Sequence, residues 1–294
     1  MRDDVITLEN ERLQVRVMAQ HAGRITHLVS RDDDREWLIE RRTVPFVASS
    51  WGDVYTDSPH CGWDEMLPTV DPCVYPLDPY AGRSMADHGD LWTAPWEVID
   101  QSPTALRQRV HGSGVAFTLE RTLALRDNVL RCDYRCDVPV DTAMLWALHP
   151  QFLALDGTSL HFQPSPPAVW DTSTGTARTR IWPGDLVVER DVAPGEDAMI
   201  YLDPSTTIGS VSLCDRDGSA LTMTWDTTTI PYLGVWVDHG RYSEDRVIAI
   251  EPTNGFFDDL SRAVRNQRFT WFRANEPASW WVEVAVGTSS GGNS

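Results

Sequence analysis

The chain has 294 residues, 41% hydrophobic and 23% charged, the composition of a globular protein with a sizeable core rather than of a disordered or membrane-embedded one. A formal net charge of -18 repels phosphate backbones and acidic lipid surfaces, so neither nucleic acid nor membrane is expected as a partner. All 25 basic residues are arginine, which excludes Schiff-base chemistry on a lysine and a Walker-type phosphate loop.

The opening Met1-Arg2-Asp3-Asp4 lacks the positive region and apolar run of a signal peptide, and no later segment stays apolar long enough to cross a bilayer, so a cytoplasmic location is expected. Strand-like runs of alternating or β-branched residues begin with Leu13 to Met18 and Arg24 to Val29. Residues 50 to 95 then break the rhythm: they are rich in Pro, Gly, Asp and aromatics, as in a long excursion over a sheet that carries function. The strand pattern resumes at Val115 to Leu125, Val129 to Val138 and Ala143 to Leu148. Cys132 and Cys136 are an even number apart and so share the inner face of one strand. With Cys61, Cys73 and Cys214 they form an odd set without CxxC spacing, which supports neither a zinc ribbon nor a disulfide scaffold.

Residues 163 to 185 read as a second, smaller irregular stretch. Further strands are expected at Leu186 to Glu189, Met199 to Leu202, Gly209 to Leu213, Ala220 to Trp225, Tyr232 to Val237 and Val247 to Glu251. Apolar spacing after the turn-forming Asn254-Gly255 predicts one short helix over Phe256 to Val264. Strands at Phe269 to Phe272 and Trp280 to Val286 follow, and then a Ser/Gly-rich tail, residues 288–294, expected to be disordered. Many strands without intervening helical periods predict an all-β, antiparallel β-sandwich in a single domain, residues 1–287.

Three short segments carry chemistry: Ala86-Asp87-His88-Gly89-Asp90-Leu91-Trp92, Ala147-Leu148-His149-Pro150-Gln151-Phe152 and Ile250-Glu251-Pro252-Thr253-Asn254-Gly255. They supply two histidines and a carboxylate beside apolar strand sequence. Opening a sugar ring needs a base at one oxygen and an acid at another, and a partly buried His/Glu pair has suitable pKa values. A charge directly after Val247-Ile248-Ala249-Ile250 is costly unless it is used, which singles out Glu251. His149 alone also fits a satisfied core or surface histidine, and His88 also fits a turn residue capping Asp87 and Asp90.

The order of these segments, with Trp236 on an aromatic strand ahead of Glu251-Pro252, resembles the aldose 1-epimerase, or galactose mutarotase-like, superfamily, near its hexose-6-phosphate mutarotase branch. The resemblance implies an antiparallel β-supersandwich with a sugar bound in a concave groove across one sheet. It implies interconversion of anomers without a cofactor, with Glu251 as the base that takes the anomeric proton, His149 as the acid at the ring oxygen, and His88 bonded to the sugar. Asp197 matches an aspartate that some members place near the sugar, although a solvated strand-end acid fits as well.

Aromatic rings stack on the C–H faces of a pyranose, and of thirteen tryptophans Trp92 and Trp236 are the expected sugar contacts, most of the others being core. Asp64 and Glu65, in Cys61-Gly62-Trp63-Asp64-Glu65-Met66, either read hydroxyls or cap a turn. The family's Asn-Arg pair and His-Gly-Gly are replaced here by Asp87-His88-Gly89-Asp90, and near the loop segments only Arg83, Arg24 and scattered arginines are available to hold a phosphate. A neutral or unusual sugar is therefore a more comfortable ligand than a sugar phosphate, and the sequence leaves open which sugar it is and whether it is phosphorylated. Two alternatives stand beside this reading: a non-catalytic carbohydrate-binding protein, and a lyase or glycoside-processing enzyme on the same fold. No HxH or HExxH spacing supports a metal site through His88, His149 and His161.

Overall fold

The computed structural model describes residues 5–40, 49–58, 61–173 and 177–288. The short alternating runs pair into two large antiparallel sheets, one of eleven strands and one of nine, giving the all-β class expected. In the nine-stranded sheet the alternation is clean: Thr118–Arg126 and Ala278–Thr288 bury every second residue, as antiparallel strands do with one face on a core and the other in water. Cys132 and Cys136 are both buried on Val129–Asp137, and all five cysteines are free. Eight tryptophans are buried, among them Trp63, Trp146 and Trp280.

Five neighbouring strands of the larger sheet matter for function. They are β1 (Trp63–Met66), β2 (Ala147–Leu153), β3 (Asp197–Leu202), β4 (Tyr232–His239) and β5 (Arg246–Thr253), and they lie side by side in the order β1-β2-β5-β4-β3. Strands β2 and β5 are buried almost continuously, so both of their faces are covered. Leu148, Ile248 and Ile250 belong to the main core. The opposite face is roofed by the excursion that brackets β1, which brings Tyr55 from before that strand and His88 from after it.

That excursion is more ordered than its composition suggests. It contains a 3-10 turn, Tyr55–Asp57, and a small hairpin, Cys73–Val74 with Ser84–Met85. Its return limb is stitched to the sheet by Asp90 N–H to the Leu67 carbonyl (2.7 Å) and His88 N–H to the Val70 carbonyl (2.6 Å). Gly89 sits at φ +68° with Leu67 O only 2.2 Å from where a Cβ would lie, so only glycine fits there.

Several expected elements differ. Ala143 to Leu148 divides: Thr142–Met144 pairs with Thr270–Phe272, and Ala147 begins β2. The helix runs Leu260–Arg265 rather than from Phe256, because Asp259 caps it by accepting from Arg262 N–H (2.9 Å) while Phe256 and Phe257 cluster with Tyr201. It is joined by a one-turn helix, Val188–Asp191, where a strand was expected through Glu189. The stretch 163–185 holds a hairpin, Ala168–Asp171 with Arg178–Ile181. A further hairpin, Glu97–Ser102 with Ala105–His111, escaped notice because its first strand is exposed almost throughout and shows no alternation. Thr288 closes the last strand, and the rest of the expected tail, 289–294, lies outside the described residues. Among the described residues no helix is long and apolar enough to cross a membrane.

Candidate active site

The register of the five strands writes the site. Asp64 on β1 faces His149 on β2, and Glu251 on β5 faces Gly234 on β4, which faces Tyr201 on β3. Between β2 and β5, Ala147 lies opposite Thr253 and Gln151 opposite Ala249, which brings Glu251 alongside His149. One cross-strand row therefore reads Asp64, His149, Glu251, Gly234, Tyr201, residues from four distant parts of the chain held on one face. Trp236 and Met199 form the next row of the same face. A Cβ at Gly234 would meet Met199 Cε at 2.9 Å, so glycine lets the β3 side chains close in over the row.

Above this face is a cavity of about 240 Å³ lined by Tyr55, His88, His149, Trp236, Tyr242 and four acids, Asp71, Asp197, Glu251 and Asp258, with Thr56, Met66, Val70 and Met199 completing the wall. That volume has room for several waters or one small ring molecule.

His149 is 4% exposed and lies between two carboxyl groups: Nδ1 is 3.2 Å from Asp64 Oδ1 and Nε2 is 3.6 Å from Glu251 Oε1. Asp64 also takes Arg24 Nη2 at 2.5 Å and the Tyr55 hydroxyl at 3.3 Å. Burial pushes the Asp64 carboxyl up, but the Arg24 guanidinium and His149 outweigh it and hold it at about 2. Asp64 is thus a fixed anion that can only accept, so His149 carries its proton on Nδ1 and presents bare Nε2 to the cavity.

His149 itself is lowered from the usual histidine range by burial, which the neighbouring Asp64 only partly offsets. Glu251 is raised well above the usual glutamate range, first by burial and then by Asp258, Asp64 and Asp71. Asp258, whose Oδ1 accepts from the Tyr201 hydroxyl, is pushed by burial and by Asp71 up to about 7. Burial therefore favours the neutral form of both partners, the imidazole and the carboxyl facing it.

The sequence-predicted residues divide. His149, Glu251, His88, Trp236 and Asp197 all line the cavity. His88 reaches it from a left-handed backbone (φ +56°), its ring stacked on Tyr55 at 3.8 Å and its Nδ1 2.8 Å from Asp87 Oδ1, so it is at once a turn residue and a cavity residue. Trp236 donates Nε1–H to Asp197 Oδ2 (3.2 Å), and Asp197 also pairs with Arg241.

The other three expected contacts do not line it. Asp64 is 1% exposed behind His149 and acts on the imidazole, and Glu65 points the other way into a pair with Arg121 at 2.6 Å; neither caps a turn. Trp92 is buried behind Tyr55, edge-on at 5.0 Å, with its N–H committed to the Asp87 carbonyl. Arg83 is exposed above Tyr80 and bonded to the Gly114 carbonyl, on the outer side of the loop hairpin. His161 lies in the nine-stranded sheet beside Ser159, so it does not join His88 and His149. Among the described residues, the one convergent group of three metal-type ligands is His27, Glu36 and Glu40, none of which lines the cavity. Sequence reasoning missed Tyr55, Asp71, Tyr242 and Asp258, and the signal available for Asp258 was an acid in the apolar run Phe256-Phe257-Asp258-Asp259-Leu260.

No protein-family model and no curated protein sequence matches the chain. Solved structures do. The Slr1438 protein from Synechocystis superposes with a TM-score of 0.74 at 18% identity, over 98% of this chain and 97% of that one. A galactose mutarotase-like protein from Lactobacillus casei gives 0.74 at 19% identity, over 96% of this chain and 100% of the other. A galactose mutarotase related enzyme from Lactobacillus acidophilus gives 0.74 at 14%, over 97% of each. The chain has the galactose mutarotase-like fold along nearly its whole length, as the order of its motifs implied; identities this low carry the fold and not the activity.

Proposed function

We propose that the protein is a cytoplasmic sugar mutarotase of the aldose 1-epimerase type, an isomerase that interconverts α and β anomers by acid/base ring opening and needs no cofactor. The observation that carries this reading is the placement of His149, buried between a fixed anion and a protonatable carboxyl at the floor of a cavity the size of one sugar. A base removes the anomeric O–H proton, the C1–O5 electron pair passes to O5, and an acid protonates O5. The open aldehyde turns about C1–C2 and recloses on the other face, and the protons return.

Glu251 and His149 share the one proton this cycle needs. The resemblance assigns the base to Glu251 and the acid to His149, whereas the resting electrostatics keep the proton on Glu251. Both arrangements hold the same number of protons, and ring opening accepts either: a neutral imidazole takes the proton at one oxygen while the carboxylic acid supplies one at the other. Asp64 makes the exchange possible by standing ready, as a permanent anion on Nδ1, to stabilise the imidazolium. Trp236 and Tyr242 offer aromatic faces to the sugar ring, and His88 and Asp197 offer partners for its hydroxyls.

The test is anomer relaxation of freshly dissolved aldoses, followed by polarimetry or NMR exchange. Wild type accelerates relaxation, and Glu251→Gln and His149→Asn each lose about 10²- to 10⁴-fold, the usual worth of one proton-transfer group. A protein that binds sugars but leaves relaxation unchanged is a carbohydrate-binding protein, and equal rates in wild type and both variants remove the assignment.

A further inference from the structure

The acids of this cavity exceed what proton exchange requires. Glu251 is the exchanging carboxyl, and Asp197 is already paired with Arg241 and Trp236. Asp71 and Asp258 remain, held next to each other because the N–H groups of Val70 and Asp71 both donate to the Asp258 carbonyl at 3.0 Å. Arginine is absent from the described lining residues. Glu251, 4% exposed and facing the same space, has no hydrogen bond from any described residue and is paired only with His149 Nε2, 3.6 Å away. A buried carboxyl without a donor is costly to keep unless a ligand completes it; beside it Asp258 is half-buried and accepts from the Tyr201 hydroxyl, and Asp71 is exposed.

A metal ion is the first candidate to complete them, but no three of these acids bring ligand atoms within 4.8 Å of one another, as three of His, Cys, Asp and Glu do at His27, Glu36 and Glu40. They are spread around a volume that suits a cation carried on a ring. A phosphorylated sugar would bring like charge against Asp71 and Asp258, and of the two groups that oppose the charge of this pair, His88 and Arg262, only His88 lines the cavity.

We propose that the substrate is an amino sugar, a hexosamine whose ammonium group is held by Asp71 and Asp258 while its C1 and ring oxygen lie against His149 and Glu251. The proposal rests on the mutarotase reading of the same cavity. Each ammonium–carboxylate contact is a charge-assisted hydrogen bond, roughly twice the strength of the hydroxyl contact that replaces it in the parent hexose.

The experiment compares glucosamine, galactosamine and mannosamine with glucose, galactose and mannose, and with the N-acetylhexosamines, which keep the nitrogen but not its charge. Relaxation is measured with wild type at a pH where the amines are protonated. The expected result is a catalytic efficiency for at least one hexosamine about tenfold or more above both its parent hexose and its N-acetyl form. An Asp71→Asn/Asp258→Asn double variant brings that ratio towards one. Hexoses relaxed as well as or better than hexosamines overturn the amine assignment and leave the mutarotase reading standing. If no sugar is relaxed, calorimetry with the same hexosamines decides: charge-dependent binding keeps the amine assignment and drops the catalytic one, and no binding drops both. A ratio above ten that the double variant leaves untouched overturns the placement at Asp71 and Asp258.

Discussion

His149 has two walls, and they treat a buried carboxyl in opposite ways. On one side Asp64, 1% exposed, receives Arg24, His149 and Tyr55, and stays ionised down to about 2. On the other side Glu251, 4% exposed, receives no donor from the described residues and faces Asp258 and Asp71, so its proton is held far above the usual carboxylate range. Burial alone pushes both groups up, and what separates them is Arg24 with the His149 contact on one side and the acids Asp258 and Asp71 on the other. The difference assigns the parts: the paired carboxyl is a permanent charge that orients the imidazole, and the unpaired one carries the mobile proton.

The largest effect that would break this comparison is removal of the cation. Arg24→Met leaves Asp64 buried beside a lone hydrogen-bonding hydroxyl and imidazole, and stability falls by about 3–5 kcal/mol, the cost of orphaning one member of a buried ion pair. Chemical denaturation measures it, and a loss below about 1 kcal/mol would mean that the Arg24–Asp64 contact does not set the charge state of this wall. The sign with pH follows from the depressed Asp64 value. Its contribution in wild type is present above the unfolded carboxyl pKa near 4 and is lost as pH falls towards 2. In Arg24→Met that acid-side loss moves to higher pH.

A smaller effect sharpens the comparison through activity. The working pair holds one proton. Activity therefore falls on the acid side when a second proton reaches His149, which its lowered pKa confines to pH below 6.5, and on the alkaline side when Glu251 loses its proton. Each limb of this bell changes about tenfold per pH unit. The Asp64 anion raises both groups, so Asp64→Asn moves both limbs to lower pH. Asp258 is the foremost charge raising Glu251 and is not among the main influences on His149, so Asp258→Asn moves chiefly the alkaline limb. Profiles that shift together in both variants would show that the two walls are not electrically distinct.

The strands and their chemistry were legible to very different degrees. Alternation within one strand is a local signal, so β5 and its costly terminal Glu251 could be seen in Val247-Ile248-Ala249-Ile250-Glu251. Which strands are neighbours is not local. Asp64 and His149 are 85 positions apart, and nothing in either segment says that they share a row. The same limit explains Trp92, whose composition suggested a sugar contact while the path of the return limb put it behind Tyr55. It also explains Asp258, read as part of a helix because apolar spacing ran through it, although the capping Asp259 starts the helix one residue later and leaves Asp258 to the cavity. Asp64 and Glu65 carried a signal that could have been used: two adjacent acids between Trp63 and Met66 must face opposite ways on a strand, and both must find an arginine.

The smallest expected effect has the opposite sign to the first. Glu251 binds its proton more tightly in the folded chain than in the unfolded one. Its favourable share is therefore complete below the unfolded value near 4.5 and is lost as pH rises through the raised folded value. Glutamine keeps the shape and never has to hold a proton. Glu251→Gln should then melt a few degrees above wild type at alkaline pH, a gain on the order of 1 kcal/mol, and the gap should shrink as the pH is lowered towards 4.5. Removing Arg24 from one wall destabilises and removing the charge from the other stabilises, because the first wall is built to keep an anion and the second to avoid one until a ligand arrives. Equal melting temperatures for Glu251→Gln and wild type across that pH range would mean that solvent already satisfies Glu251, and the division between the walls would fail at its weaker side.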